Sequence, residues 1–123
     1  MKLTNAEMDI NLQALQKISD KVTGMFAYAV ARNMRKISEE LVEYQELKNK
    51  AITKYGNLME DGRYAIDVTT DAYKDYLEEM KDYSSIQHDV TIQTISKDVL
   101  LSSSLNANEI LTIDFMIEED NNE

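Results

Sequence analysis

Apolar side chains recur along the first third of the chain at the spacing of a helix. Met8, Leu12, Leu15, Ile18 and Val22 follow one another at steps of four and three, which places them on one face. Thr4 and Glu7 have the spacing of a capping box, and Leu3 and Met8 occupy the two positions of a hydrophobic staple. A helix is therefore expected to begin at Thr4, with Gly24 as its break. A second helix is predicted over residues 25–55. Its apolar line Val30, Met34, Ile37, Leu41 and Tyr44 alternates steps of four and three, the seam of a heptad. Beyond Tyr44 the seam position falls on Lys48, and the apolar line resumes at Leu47, Ala51, Ile52 and Tyr55. At 1.5 Å per residue such a helix is about 45 Å long, more than the width of a compact domain of this size. It must either project and be held by a partner or be covered by the rest of its own chain.

Gly56 is expected to stop that helix in the left-handed conformation. Glu60, Asp61 and Gly62 make a turn between Leu58-Met59 and Tyr64-Ala65-Ile66, which predicts a short hairpin or loop. A third helix over 71–83, capped by Thr69 or Thr70, carries Tyr73, Tyr76, Leu77 and Met80 on its apolar side and acidic residues outside. Ile86, His88, Val90 and Ile92 alternate with polar residues and predict a strand. Residues 96–101 read as a helical turn and 102–104 as a loop. The last element is ambiguous. Asn106 with Glu109 is a helix-capping pair, whereas Leu111, Ile113, Phe115 and Ile117 alternate like a strand; helix is the favoured reading. The sum is a mainly α fold with a small β element: a long central helix, three shorter helices, a short hairpin and one strand. One helical domain is expected over 1–117, with an acidic, flexible tail over 118–123.

Composition narrows the function. The 123 residues contain no cysteine, which removes disulfides, thiolate metal sites and thiol catalysis and fits a reducing compartment. The longest uncharged stretch, residues 22–31, is too short for the roughly 20 residues that span a bilayer, and Glu7 and Asp9 interrupt any apolar signal core. A cytoplasmic location is expected, with no membrane contact. The net charge of −10 is unevenly placed. Residues 1–59 hold nine Lys/Arg against seven Asp/Glu, whereas residues 60–123 hold four against sixteen, giving +2 and −12. Such an acidic half repels phosphate backbones and attracts basic protein surfaces, so direct nucleic-acid binding is disfavoured. In many small proteins the same charge only maintains solubility.

Few residues invite chemistry. His88 is the only histidine and has no nucleophile pattern near it in sequence, so a structural role is expected. Asp71, Asp75, Glu78, Glu79 and Asp82 crowd one helix, with pairs at four-residue spacing that can meet a hard cation. Solvated acidic helix faces are far commoner than such sites, and no metal or cofactor is expected. Arg32, Arg35 and Lys36 precede Glu39, Glu40 and Glu43, allowing Arg35–Glu39 and Lys36–Glu40 pairs rather than a nucleic-acid patch. No phosphate loop, zincin motif or nucleophile elbow is present, so no enzymatic activity is expected.

Lys2-Leu3-Thr4-Asn5, the run Arg32-Asn33-Met34-Arg35-Lys36-Ile37 leading to Lys54-Tyr55-Gly56, the Glu-Asp-Gly turn and Phe115-Met116-Ile117-Glu118-Glu119 together resemble a group of small uncharacterised proteins of phages and prophages of Gram-positive bacteria. The resemblance implies a viral accessory or assembly protein in the cytoplasm of the infected host, and it implies no catalytic residue. Two expectations follow. In one, an acidic inhibitor docks the face of Asp71, Asp75, Glu78, Glu79 and Asp82 on a basic host protein, such as a nucleic-acid-binding defence enzyme, as an anti-CRISPR-like protein would. In the other, a virion-associated or assembly protein uses the Val30-to-Tyr44 seam to form a homo-oligomer or hold a structural partner.

Overall fold

The computed structural model describes residues 1–119. Helix α1 (Asn5–Ile18) starts at the expected capping box: Thr4 Oγ1 accepts from the Glu7 amide and Glu7 Oε1 accepts from the Thr4 amide. A tight link leads to α2 (Gly24–Tyr55), 32 residues long. Gly24 opens α2 in the left-handed region, with φ 61°, so the break lies at the very start of the second helix. Helix α1 packs back along α2, where Asp9 meets Gln45 and Lys48 at 3.1 and 2.9 Å. Burial pulls the Lys48 ammonium toward its neutral form, but the hydrogen bond and charge of Asp9 outweigh it and leave the pKa raised.

The long helix is covered. Val30, Ile37, Leu41 and Tyr44 are buried and Met34 is half-buried against them, in one core with Met8, Leu15 and Ile18 of α1 and with Ile113 and Met116 near the other end of the chain. Of the two alternatives the sequence left open, the seam is covered by the protein's own chain. A single amphipathic stripe can be spent only once, and the chain supplies enough apolar surface to spend it internally.

At the end of α2 the chain turns into β2 (Asn57–Leu58) and returns as β3 (Tyr64–Ala65), an antiparallel hairpin closed by the Glu-Asp-Gly turn with Gly62 at φ 84°. Gly56 is not left-handed as the sequence suggested; its φ of −94° and ψ of 177° are extended. Glycine is required there for space, since a Cβ would stand 2.5 Å from the Ile52 carbonyl oxygen and 2.8 Å from that of Ala65. The hairpin folds so tightly against the last turn of α2 that only a hydrogen fits between them.

Helix α3 (Asp71–Ser84) follows, with Thr70 at its cap position. The Thr70 hydroxyl donates to the Asp67 carbonyl instead of accepting from the helix. Glu79 meets Lys54 at the end of α2, and Ser84, a turn later in α3, meets Tyr44, so α3 runs back along the second half of α2. Of its expected apolar side, Met80 is buried and Tyr73 and Tyr76 are half-buried, but Leu77 is 48% exposed.

The predicted strand shortens to β4 (Gln87–Asp89), paired antiparallel with β1 (Lys2–Thr4) in the register Leu3 to His88. In this register Thr4 faces Gln87 and Lys2 faces Asp89, and the ladder closes on Val90, whose amide donates to the Met1 carbonyl at 2.8 Å and whose carbonyl accepts from the Met1 amino group at 3.2 Å; residues 91–94 lie past the last β1 partner. Asn33 of α2 takes over. Its fully buried carboxamide donates from Nδ2 to the Gln93 carbonyl at 2.9 Å and accepts at Oδ1 from the Gln93 amide at 2.8 Å, the two bonds a strand neighbour would make. Helix α4 (Lys97–Leu101) is the expected helical turn, and α5 (Ala107–Thr112) decides the ambiguous last element as helix, with the Asn106–Glu109 capping box formed. A 3-10 turn (Asp114–Met116) completes it. Ile113 and Met116, three apart, are fully buried, whereas Leu111 is exposed. Glu118 is not frayed: its amide donates to the Ile95 carbonyl at 2.8 Å. Of the expected tail, residues 120–123 lie outside the described residues.

Candidate functional site

The acidic helix can be assessed residue by residue. At 100° per residue, Asp71, Asp75, Glu78 and Asp82 fall within about 60° of arc, one narrow stripe along α3. All four are exposed. Among the described residues no basic group lies within ion-pair distance of Asp75, Glu78 or Asp82, and Asp71 meets only Lys74, at 3.9 Å. Like charges at spacings of three and four cost a helix a few tenths of a kcal/mol per pair. The stripe therefore presents negative charge outward at some expense to its own helix.

Glu79 does not belong to that face. It turns toward α2, where the Lys54 ammonium donates to Oε1 at 2.9 Å and the Tyr55 hydroxyl donates to the same oxygen at 3.2 Å. The hydrogen bond from Lys54, with a smaller contribution from Tyr55, holds the Glu79 carboxyl below its ordinary 4.5 and raises Lys54. A carboxylate depressed in the folded state stabilises the fold above its unfolded-state pKa and loses that contribution as pH falls through the folded value. Glu79→Gln is thus expected to be less stable than the parent near neutrality, with the gap closing in acid. Denaturant midpoints at several pH values measure it, and a gap of constant size would exclude the charged pair as its cause.

The basic cluster of α2 departs from its expected pairing. Arg32, Arg35 and Lys36 are exposed, and among the described residues neither Arg35–Glu39 nor Lys36–Glu40 forms an ion pair. Glu40 instead reaches across to β4, where its Oε2 lies 3.1 Å from His88 Nδ1. His88 is tied to a carboxylate and half-buried, and among the described residues no serine or threonine hydroxyl is bonded to the ring. Sequence reasoning missed this junction because its two partners lie 48 residues apart.

Among the described residues no group of three or more His, Asp or Glu side chains is arranged to hold a metal ion, and no helix is long and apolar enough to cross a membrane. The hairpin tip carries further exposed apolar surface in Leu58, Met59 and Tyr64, beside an Arg63 that Asp61 binds at 2.8 Å. No family model, no curated protein and no solved structure matches the chain.

Proposed function

We propose that the protein acts by binding a second protein through its acidic surface, without catalysis, and that the partner offers a basic face. The observation that carries this reading is the stripe of Asp71, Asp75, Glu78 and Asp82, exposed on α3 with no cation within ion-pair distance of its last three members among the described residues. Opposite charge on a partner relieves the repulsion within the stripe and steers the encounter, so the uncompensated charge favours association and its rate. The resemblance to small phage and prophage proteins supplies a context: a viral accessory protein that occupies the nucleic-acid-binding surface of a host defence protein and blocks it. The rival reading, a virion or assembly protein joined through the Val30-to-Tyr44 seam, has less support, because those residues pack in the protein's own core.

The test is a triple reversal, Asp75→Lys, Glu78→Lys and Asp82→Lys, that spares Glu79 because of its bond to α2. Affinity for a partner captured from infected cells is expected to fall at least about tenfold, mainly through slower association and with a weaker dependence on salt. Unchanged affinity and unchanged salt dependence would remove the stripe from the interface.

A further inference from the structure

Helix α2 carries a second stripe on the side away from the core. Tyr28, Arg32, Arg35, Glu39, Val42 and Glu46 follow one another at steps of four and three and fall within about 80° of arc, roughly opposite the buried seam. All are exposed, Tyr28 and Val42 to 53% each. The charges are sorted by sign along the axis. Arg32 and Arg35 stand toward the amino-terminal end and Glu39 and Glu46 toward the other, and Lys36 and Glu43 repeat that order at the edge of the stripe. Among the described residues none of these charges has an opposite charge within ion-pair distance. Within one helix a base placed before an acid is the weaker order for a pair, and charges that serve solubility are interspersed by sign, so neither role accounts for the sorting.

We infer that this outer face of α2 is a docking surface for a second copy of the chain, laid antiparallel across a twofold axis between Arg35 and Glu39. A face sorted by sign is complementary to itself only in that sense, since parallel pairing sets like charge on like. The antiparallel register sets Arg35 against the second copy's Glu39 and, by symmetry, Glu39 against its Arg35. It also sets Tyr28 against Glu46, a phenol donor facing a carboxylate, and lays the aliphatic stem of Arg32 on Val42 with Glu43 beside its charged end. The contact draws on residues 1–59, which carry +2, and leaves the −12 of the other half outside it. The repulsion between two chains of net charge −10 acts over longer distances, and at about 0.15 M salt it is screened beyond roughly 8 Å while pairs in contact persist. Exposed ion pairs are individually weak, so the dimer is expected to have a Kd of roughly 0.1–1 mM and to leave the chain monomeric at the micromolar concentrations of a melting experiment.

The test is an exchange of charges. Sedimentation equilibrium and backbone amide shifts are followed from about 20 μM to about 2 mM protein, a range that brackets this Kd. The parent is expected to move toward the mass of a dimer, with the shifts concentrated on the outer face of α2. Arg35→Glu alone and Glu39→Arg alone each set like charges across the axis and are expected to weaken association at least about tenfold. Both changes in one chain restore the complement and are expected to restore the dimer, and so is an equimolar mixture of the two single variants. Positions 35 and 39 are exposed, so the variants keep the fold, and rescue by exchange is a result that altered stability does not produce. A parent that stays monomeric at about 2 mM, or a doubly exchanged chain that stays dissociated, overturns the inference. The reversal of Asp75, Glu78 and Asp82 supplies the last control. The dimer is expected to survive it; its loss would place the α3 stripe in the contact and overturn the antiparallel pairing of α2.

Discussion

Ile37→Ala is expected to destabilise the protein by about 3 kcal/mol, within the range of roughly 2–5 that truncation of a buried isoleucine costs. Ile37 is fully buried in the middle of the α2 seam, in the same core as residues of α1 and of the last helical elements. Set against a total stability of about 5–15 kcal/mol, the loss lowers the thermal midpoint by roughly 10 °C. The informative part is its dependence on protein concentration. Where the seam is internal, parent and variant each melt at a midpoint independent of concentration, and the gap between them is constant. Where the seam joins two copies, dilution lowers both midpoints by mass action and the variant dissociates first. Calorimetry over a hundredfold range of concentration separates the two, and a midpoint that climbs with concentration would return the seam to the interface. Ile37→Val, which removes one methylene, should cost about 1 kcal/mol and provides the graded control.

That the seam closes on its own chain also explains which parts of the fold were legible in the sequence. The capping boxes at Thr4 and Asn106, the extent of α2 and the Asp-Gly turn are local. Each is determined by residues within a few positions of one another, and each formed as expected. What the sequence left open depends on partners far along the chain. The three-residue β1 is too short to declare itself, and β4 is cut to match it although its alternation continues to Ile92. The extended φ of Gly56 follows from the approach of Ala65, which no local rule contains. The acidic helix was legible as composition, but periodicity alone does not say that Glu79, one position past Glu78, turns inward to Lys54 while the others face out. Leu77 was misassigned for a related reason: α3 lies on α2 through a narrow strip, and an apolar residue at the edge of that strip stays in solvent. The His88–Glu40 junction is wholly a product of tertiary approach.

The sequence reading passed over Asn33, although a polar side chain three after Val30 and four before Ile37 stands on the inward face of α2. Removing it is expected to have the second large effect. Asn33→Leu keeps the volume but strands the Gln93 amide and carbonyl, for a cost of about 2–4 kcal/mol. Asn33→Asp makes a sharper prediction because it depends on pH. An ionised aspartate can still accept from the Gln93 amide, but it cannot donate to the Gln93 carbonyl, and it is a charge placed among Met116 and backbone dipoles. Burial and the facing carbonyl oxygen raise its folded-state pKa above the unfolded value of about 3.9. A group raised in this way contributes its stability in full below the unfolded pKa and loses it as pH rises through the folded one. Relative to the parent, Asn33→Asp should therefore be nearly neutral at about pH 3.5, where the protonated carboxyl donates as the carboxamide did. It should become progressively destabilised toward neutrality, by up to about 1.4 kcal/mol per unit of pKa elevation. Asn33→Leu should show the same deficit at every pH. Urea unfolding across this range, with hydrogen exchange at the Gln93 amide as the local readout, tests the assignment. Parallel pH profiles for the two variants would mean that Asn33 fills space and does not serve as the strand-like partner of Gln93.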